Sequence, residues 1–257
     1  MSFHRNMAVG IDHCRDGWCA AALEDSVLEI GIFSKLEEIL KAFPQAQTIW
    51  IDMPVGLVTS ARQCRPEPFA RKILGRRSCT LFNVPCRQAI NAKTYEEASD
   101  VNQRVLGRRL SRQSYGLFAG IREVDGWCRT HPDLVGLLHE SHPELCFGVL
   151  AGMDEPGPVV NRPLQAGKHS AEGQQTRIEL LSRWFSPASG FPDRWLDDPM
   201  YRKNRVDLLD ALVLALCGCW SLDSGVQTIP DVPQVDDQGL AMQICTARWP
   251  GGRPDRG

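Results

Sequence analysis

The chain has 257 residues, enough for one large domain or two small ones, and its composition is that of an ordinary globular protein. A net charge of −2 excludes a uniformly basic nucleic-acid coat. Charge is unevenly distributed, however, because residues 62–129 contain 14 Lys and Arg against 6 Asp and Glu. This segment is either an electropositive surface or a solvated, Arg-rich helical face.

Cysteine spacing and hydropathy exclude two further classes of protein. The ten cysteines include no C-x-x-C pair, which excludes a zinc finger or ribbon, and we expect reduced thiols. The polar first six residues do not resemble a secretory signal, and the apolar run 206–216 is too short and too acidic to span a membrane. We therefore expect a cytoplasmic protein that has no membrane partner.

The first fifty residues predict a sheet that starts with two hairpins. Asp16-Gly17 is a hairpin signal, and residues 24–26 turn the chain a second time. Ser34 and Glu37 have the spacing of a capping box, which predicts a helix that ends at Phe43, before a proline. Four apolar runs bounded by polar or turn residues predict the strands: residues 7–11, 18–23, 27–33 and 48–51.

Two of these strands end in a carboxylate. Asp12 follows the first strand and Asp52 follows the fourth. The helical crossover before the fourth strand makes it parallel to the first, so both acids lie at the same end of the sheet. If the two strands are neighbours, about 4.8 Å apart, the acids are side by side. The alternative is that each acid is only a turn residue at a strand end.

The remainder of the chain is predicted to be mainly helical. Residues 59–130 form a helical insertion, and the last helix, 205–220, begins after an N-cap at Asn204. That helix is apolar on nearly all sides, which predicts burial against the sheet. The other predicted elements are helices at 115–128, 143–150 and 171–185, a strand at 135–139, a loop at 154–165, a linker at 186–199 and an edge strand at 241–247. We expect one domain at 1–222 and a C-terminal extension at 223–257 with a mobile end.

Further carboxylates stand where the local pattern does not explain them. Asp207 and Asp210 are three residues apart and share one face of the last helix. Asp207 also complements the helix dipole, which is a purely structural explanation. Asp210 lies deeper, on an apolar stripe, where a buried carboxylate requires a metal or an arginine. Glu140 ends the fifth strand, and Glu144 begins the next helix, where a structural role is an equal alternative.

A set of carboxylates without paired Cys or His favours a hard cation. Mg²⁺ or Mn²⁺ takes oxygen ligands and retains water, which leaves coordination positions for substrate phosphates. Two such ions roughly 4 Å apart position a water nucleophile and stabilise the leaving oxygen in phosphodiester cleavage. The acids therefore predict a metal site at the ends of the strands.

Several basic residues are candidates for contact with phosphate. Lys168 and Arg177 flank a possible helix start, and His142 lies between two glutamates. Phe82, among basic residues, is either a base-stacking platform or a core residue. Solvation or a structural role is the simpler alternative for the basic residues. The arginines that we expect at a nucleic-acid backbone are Arg62, Arg65, Arg71, Arg76 and Arg87.

With these residues assembled, the chain resembles the RNase H-like superfamily. More narrowly, it resembles the uncharacterised bacterial and archaeal domain family described as predicted RNase H-like nucleases. The resemblance extends over about residues 7–220, and the final helix is similar to the D-x-x-D-A-L pattern of Holliday-junction resolvases. The pieces that carry it are, in order, VGIDHCRDGW, IDMPVGL, ARKILGRR, LFNVPCR, SRQSYGL, HESHPELCF, KHSAEGQQTRIELL and VDLLDALVLA.

The resemblance implies an α/β fold with a mixed five-stranded sheet, three antiparallel strands followed by parallel strands, flanked by helices and with a helical insertion after the fourth strand. It implies Mg²⁺ or Mn²⁺ as the cofactor and nucleic acid as the partner. Gln113 lies in SRQSYGL and joins His142, Lys168 and Arg177 as a substrate contact. The implied catalytic acids are Asp12, Asp52, Glu140, Asp207 and Asp210. The implied metal ligands are Asp12, Asp52, Asp210, Glu140 and Glu144.

Three functions are open from the sequence. We prefer a metal-dependent nuclease that hydrolyses phosphodiester bonds by two-metal-ion catalysis on the carboxylates. The second is a non-catalytic nucleic-acid-binding protein of the same fold. The third, a nucleotide-binding phosphotransferase, is disfavoured because the chain has one copy of the core and no glycine-rich phosphate loop. RNA and DNA substrates, endo- and exonuclease action, and the oligomeric state are left open.

Overall fold

The N-terminal strands follow the predicted hairpins. In the computed structural model, which describes residues 6–25, 27–153, 161–186 and 189–248, the first three strands are antiparallel. They are β1 (Met7–Cys14), β2 (Gly17–Glu24) and β3 (Val27–Phe33). Gly17 follows Asp16 in the tight turn with a φ of 126°, which favours glycine because it has no Cβ. The hairpin at Asp16-Gly17 is therefore confirmed.

The sheet continues with parallel strands. β4 (Thr48–Ile51) pairs with β1, and β5 (Leu138–Glu140) pairs with β4, so the strand order is β3-β2-β1-β4-β5. This order confirms the α/β class, the mixed five-stranded sheet and the predicted neighbours β1 and β4. The strand predicted at 135–139 is displaced toward the C-terminus, because a 3₁₀ segment (Pro132–Leu137) occupies most of that stretch.

The crossover helix α1 (Leu36–Ala42) has a different cap from the one predicted. Its N-cap is Lys35, and the Glu38 carboxylate accepts hydrogen bonds from the Ser34 N–H (3.0 Å) and hydroxyl (2.9 Å). The predicted capping box of Ser34 and Glu37 is therefore wrong by one residue. The reason is that the helix begins at residue 36, which places Glu38 and not Glu37 at the third helical position.

The insertion between β4 and β5 is helical, as predicted, and it packs with α1 on one face of the sheet. The helix predicted at 115–128 is divided at Leu117 into two. The insertion contains α2 (Glu67–Leu74), a 3₁₀ segment (Gly75–Thr80), α3 (Tyr95–Leu106), α4 (Arg112–Gly116) and α5 (Phe118–Thr130).

The helices after β5 build a second apolar core on the other face of the sheet. They are α6 (Pro143–Gly152), α7 (Ala171–Ser182), α8 (Asp193–Leu196), α9 (Pro199–Arg202) and α10 (Arg205–Ser224). α10 packs on β1, β2 and β4, and its predicted burial is confirmed. A Cβ on Gly10 in β1 would lie 2.1 Å from the Ala211 carbonyl oxygen, so only glycine allows this close approach of α10.

Two helix and linker predictions require adjustment. α7 ends at Ser182, three residues before the predicted end, and the predicted linker at 186–199 contains α8. Part of the predicted loop, residues 154–160, and the predicted mobile end, residues 249–257, lie outside the described residues.

The C-terminal segment forms a second sheet of two strands, β6 (Val226–Val235) and β7 (Ala241–Ala247). The strand predicted at 241–247 is confirmed, but it pairs with β6 and meets the main sheet at a bridge between Ser141 and Cys245. The sequence did not predict β6 because its two prolines lack N–H donors. The ladder is irregular between Ile229 and Gln234, which accommodates them. Within the described ranges, no helix combines the length and hydropathy that a bilayer crossing requires.

Candidate functional site

Four aspartates line one cleft at the carboxyl ends of β1 and β4. The Asp52 N–H donates to the Ile11 carbonyl oxygen at 3.0 Å across the parallel β1–β4 pair, which brings Asp12 and Asp52 to the same sheet edge. α10 carries Asp207 and Asp210 in its first two turns and packs on both strands. The cleft has a volume of about 660 Å³. The structure therefore brings together the strand-end acids and the acids of the last helix.

Lys168 is the cation that lies among these aspartates. Its Nζ donates to Asp210 Oδ2 at 2.6 Å. Burial lowers the pKa of Lys168, but the carboxylates of Asp210 and Asp12 raise it by more, so its pKa lies above the usual lysine value. The aspartates therefore stabilise the charged form of the Lys168 side chain. Sequence analysis counted Lys168 as a substrate contact and did not anticipate this ion pair.

The aspartates raise one another's pKa values. Burial and then the charge of Asp52 raise the pKa of Asp12 well above the usual value. Burial, opposed in part by Lys168, raises the pKa of Asp207 to about 6, and Asp210 contributes to that rise. Burial also raises the pKa of Asp52, although His142 and Lys168 act in the opposite direction. The single ammonium of Lys168 therefore does not balance the negative charge that the four carboxylates carry when they are ionised.

The residues fit a hard cation by their chemistry. Asp210 is fully buried, and its Oδ1 has no hydrogen-bond partner. An unpartnered buried carboxylate oxygen is costly unless a cation meets it. Across the described residues, no group of three or more His, Cys, Asp or Glu side chains is already gathered in the geometry of a metal site. The four carboxylates therefore supply the oxygen ligands that a hard cation prefers, but their oxygen atoms are not already arranged around one position.

Glu140 and Glu144 differ from the aspartates because each is paired with an arginine, although burial still raises the pKa of Glu140 to about 7. Glu140 Oε1 lies 2.6 Å from the buried Arg65 guanidinium, and Glu140 Oε2 accepts from the Val55 N–H at 2.7 Å. Glu144 pairs with Arg177 and, at 3.2 Å, with Arg77. Burial raises the pKa of Glu144, but the hydrogen bond from Arg77 and the charge of Arg177 lower it by more, to below the usual value. Their predicted role as metal ligands stays a prediction, and their contacts are those of structural ion pairs.

Arg65 and Glu67 form a buried network that sequence reasoning missed. Arg65 Nε donates to Glu67 at 2.9 Å, and its Nη1 donates to the carbonyl oxygens of Val55 and Gly56. This network fixes the turn that follows Asp52. The expectation that Arg65 contacts nucleic acid is wrong, because the side chain is 98% buried and its donors are occupied. A strand-end glutamate that needs a partner was the available signal in the sequence.

The predicted substrate contacts divide into two groups. Gln113, His142 and Lys168 line the cleft, whereas the predicted arginines lie elsewhere. Arg71 donates to the Leu81 carbonyl. The expectation that Arg177 contacts substrate is wrong because its side chain has no exposed surface, whereas that for Arg87 stays a prediction. Arg87 binds Asp125 and Asp236, and Arg177 is fully buried against Glu144. Arg62 and Arg76 are exposed and are not among the residues that line the cleft.

The insertion supplies an apolar wall of the cleft. Phe82 is only half-buried and lines the cleft together with Leu81, Leu117 and Ile121. It is therefore accessible to a ligand and is not a core residue, so the stacking alternative stays open. His13, next to Asp12, also lines the cleft, and burial lowers its pKa.

Comparison with known proteins assigns a family to this fold and cleft. The family described as "Protein of unknown function (DUF429)" matches residues 10–235. The chain belongs to the DUF429 family. The match includes β1 from Gly10 onward, the insertion, α10 and all four aspartates of the DUF429 cleft. No curated protein and no solved structure gives a significant match.

Proposed function

We propose that this DUF429 protein is a metal-dependent nuclease of the RNase H-like superfamily. The observation that carries the proposal is Asp210 Oδ1, a buried oxygen without a partner in a carboxylate that lines the cleft with Asp12, Asp52 and Asp207. A divalent cation in the cleft would supply the missing partner and relieve the repulsion that raises the pKa of Asp12. The order of strands and the acid-bearing last helix support the superfamily assignment.

The residues of the cleft have distinct roles in this proposal. Asp12, Asp52, Asp207 and Asp210 would hold Mg²⁺ or Mn²⁺, because hard divalent cations prefer carboxylate oxygens. When bound, such an ion lowers the pKa of its water ligand and neutralises charge on a phosphodiester. His142 lines the cleft and hydrogen-bonds through Nδ1 to the Glu144 N–H at 3.2 Å. That contact orients the ring, and Nε2 lies 3.5 Å from the Thr80 hydroxyl, which also lines the cleft. A substrate phosphate would meet Nε2 by replacing this long contact.

Nucleic acid is the substrate that best matches the surroundings of the cleft. Phe82 and the apolar wall provide a surface on which a base stacks, and Gln113 at the rim provides an amide for hydrogen bonding. The insertion that supplies this wall carries the excess of 8 positive charges, and Arg104 and Arg108 on it are exposed. Exposed arginines increase affinity for a phosphate backbone in a salt-dependent way. We also propose a cytoplasmic location, because all ten cysteines are free.

Two single substitutions of cleft carboxylates test the proposal. Asp12→Asn and Asp210→Asn should each abolish Mn²⁺ binding in calorimetric titrations and cleavage of labelled single-stranded and duplex oligonucleotides. Asp223→Asn is the matched control, because Asp223 is an exposed carboxylate near the other end of α10. If Asp210→Asn retains both metal binding and cleavage, the proposal is wrong.

A second candidate function is nucleic-acid binding without catalysis. The observation that favours it is the ion pair between Lys168 and Asp210, which neutralises one aspartate without any metal. In that case, oligonucleotide binding would be salt-sensitive, independent of divalent ions and unchanged in Asp12→Asn. Loss of binding on chelation of divalent ions would exclude it.

A further inference from the structure

The loop that carries Lys168 into the aspartate cluster is held in place by contacts with the first turn of α7. The loop precedes α7, where Ser170 caps the helix by accepting a hydrogen bond from the Gly173 N–H at 3.0 Å. A Cβ on Gly173 would lie 1.9 Å from the Gly167 carbonyl oxygen, so glycine is needed for the loop to pack against the helix. Arg177 Nη1 donates to the Gly173 carbonyl at 2.8 Å and holds the same turn. The position of the ammonium is therefore set by the fold.

The ion pair with Lys168 uses one of the two carboxylate oxygens of Asp210 and leaves the other without a partner. Oδ2 accepts from Lys168 at 2.6 Å, and Oδ1 is buried and unpartnered. Among the described residues, Asp210–Lys168 is the only ion pair that any of the four aspartates makes. By contrast, Glu140 and Glu144 each have an arginine. The cluster thus holds one fixed cation and has one free oxygen for another.

We propose that the Lys168 ammonium takes the place of a second metal ion beside Asp210, so that the DUF429 site binds a single divalent cation. This rests on the proposed metal site, and it replaces the two-ion expectation of the sequence analysis. Metal ligands must be deprotonated, and with all four aspartates ionised the carboxylates and the ammonium have a net charge of −3, which one divalent ion reduces to −1. A second divalent ion would make the charge +1 and would lie beside an ammonium that the loop keeps in place. Repulsion between neighbouring cations in a poorly solvated site disfavours that arrangement.

The number of bound ions tests this proposal without reference to activity. Mn²⁺ binding to the full chain is measured by electron paramagnetic resonance of free Mn²⁺ and by calorimetry. We expect one ion per chain for the unsubstituted protein, two for Lys168→Met, and one for Lys168→Arg, which retains the positive charge. Lys203→Met is the matched control with one ion, because Lys203 is an exposed lysine that pairs with Asp16.

Each outcome separates this inference from the proposed function. Two ions in the unsubstituted protein would overturn the role of Lys168 and leave the nuclease proposal standing, and this count does not depend on any variant folding. Equal counts in the unsubstituted protein and a folded Lys168→Met would also overturn it. No ion in the unsubstituted protein but one in Lys168→Met would overturn the single-ion site and refute metal-dependent activity, because the ammonium would then exclude every divalent ion. No ion in either would refute both.

Discussion

Gly10 controls the distance between the sheet and the helix that carries two of the site aspartates. A Cβ at this position would lie 2.1 Å from the Ala211 carbonyl oxygen and 2.3 Å from the Ala215 nitrogen. Ordinary contact begins at 3.4 Å, so Gly10→Ala requires α10 or β1 to move by about 1 Å. The obstacle is helix backbone, which no change of rotamer removes.

The cost follows from the overlap. Overpacking a core costs about 1–3 kcal/mol and more where neighbours cannot yield. Because α10 packs on three strands, we expect Gly10→Ala to lose about 3 kcal/mol of unfolding free energy. For a chain of this size that corresponds to a decrease of roughly 6–12 °C in melting temperature. Mn²⁺ binding should weaken as well, because Asp210 moves relative to Asp12.

Urea denaturation and thermal melting measure the effect, with Gly126→Ala as the matched control. Gly126 lies inside α5, and nothing lies within 4 Å of its added Cβ. The control should gain up to about 1 kcal/mol, because alanine is the better helix former. If the free energy of unfolding of Gly10→Ala is within about 1 kcal/mol of that of the unsubstituted chain, the close approach of α10 does not limit packing and the reasoning is refuted.

Three further predictions concern two buried sets of polar contacts and one helix cap. Arg65→Met leaves the buried carboxylates of Glu140 and Glu67 without their arginine and should cost about 3–5 kcal/mol in urea denaturation. Adding Glu140→Gln should recover part of the loss, and strict additivity would contradict the pairing of Arg65 with Glu140. Asp236→Ala removes acceptors for Arg87 and three backbone N–H groups and should cost about 2–3 kcal/mol at pH 7. Burial raises the pKa of Asp236, but these donors lower it by more, so its pKa in the folded protein is below its pKa in the unfolded chain. The stabilisation by Asp236 is therefore fully present at a pH above the pKa of the unfolded chain and is lost as the pH falls through the pKa of the folded protein. The difference in unfolding free energy between Asp236→Ala and the unsubstituted chain should therefore decrease below about pH 4. A difference that is independent of pH would refute this role of Asp236. Thr94→Ala removes the N-cap of α3 and should cost about 1 kcal/mol by thermal melting, with no effect on Mn²⁺ binding.

Local patterns predicted the first part of the topology. Apolar runs with hairpin signals predicted β1, β2 and β3, and the single helix before β4 favoured a return parallel to β1. The proximity of Asp12 and Asp52 depended on the further condition that β1 and β4 are neighbours, which the structure confirms. Elements whose pattern is interrupted by proline or glycine were predicted less well, as the division of the helix at Leu117 and the missed strand β6 illustrate.

The sequence by itself determined the three antiparallel strands, the parallel direction of β4, the buried last helix and the identity of the acids that line the cleft. Only the tertiary structure decided how each acid is neutralised. Local spacing contains no information about partners that are distant along the chain, such as Arg65 for Glu140, 75 residues away, or Lys168 for Asp210, 42 residues away. Because a buried charge is stabilised by whatever lies next to it in space, those contacts distinguish the glutamates held by arginines from the aspartates that are available to a cation.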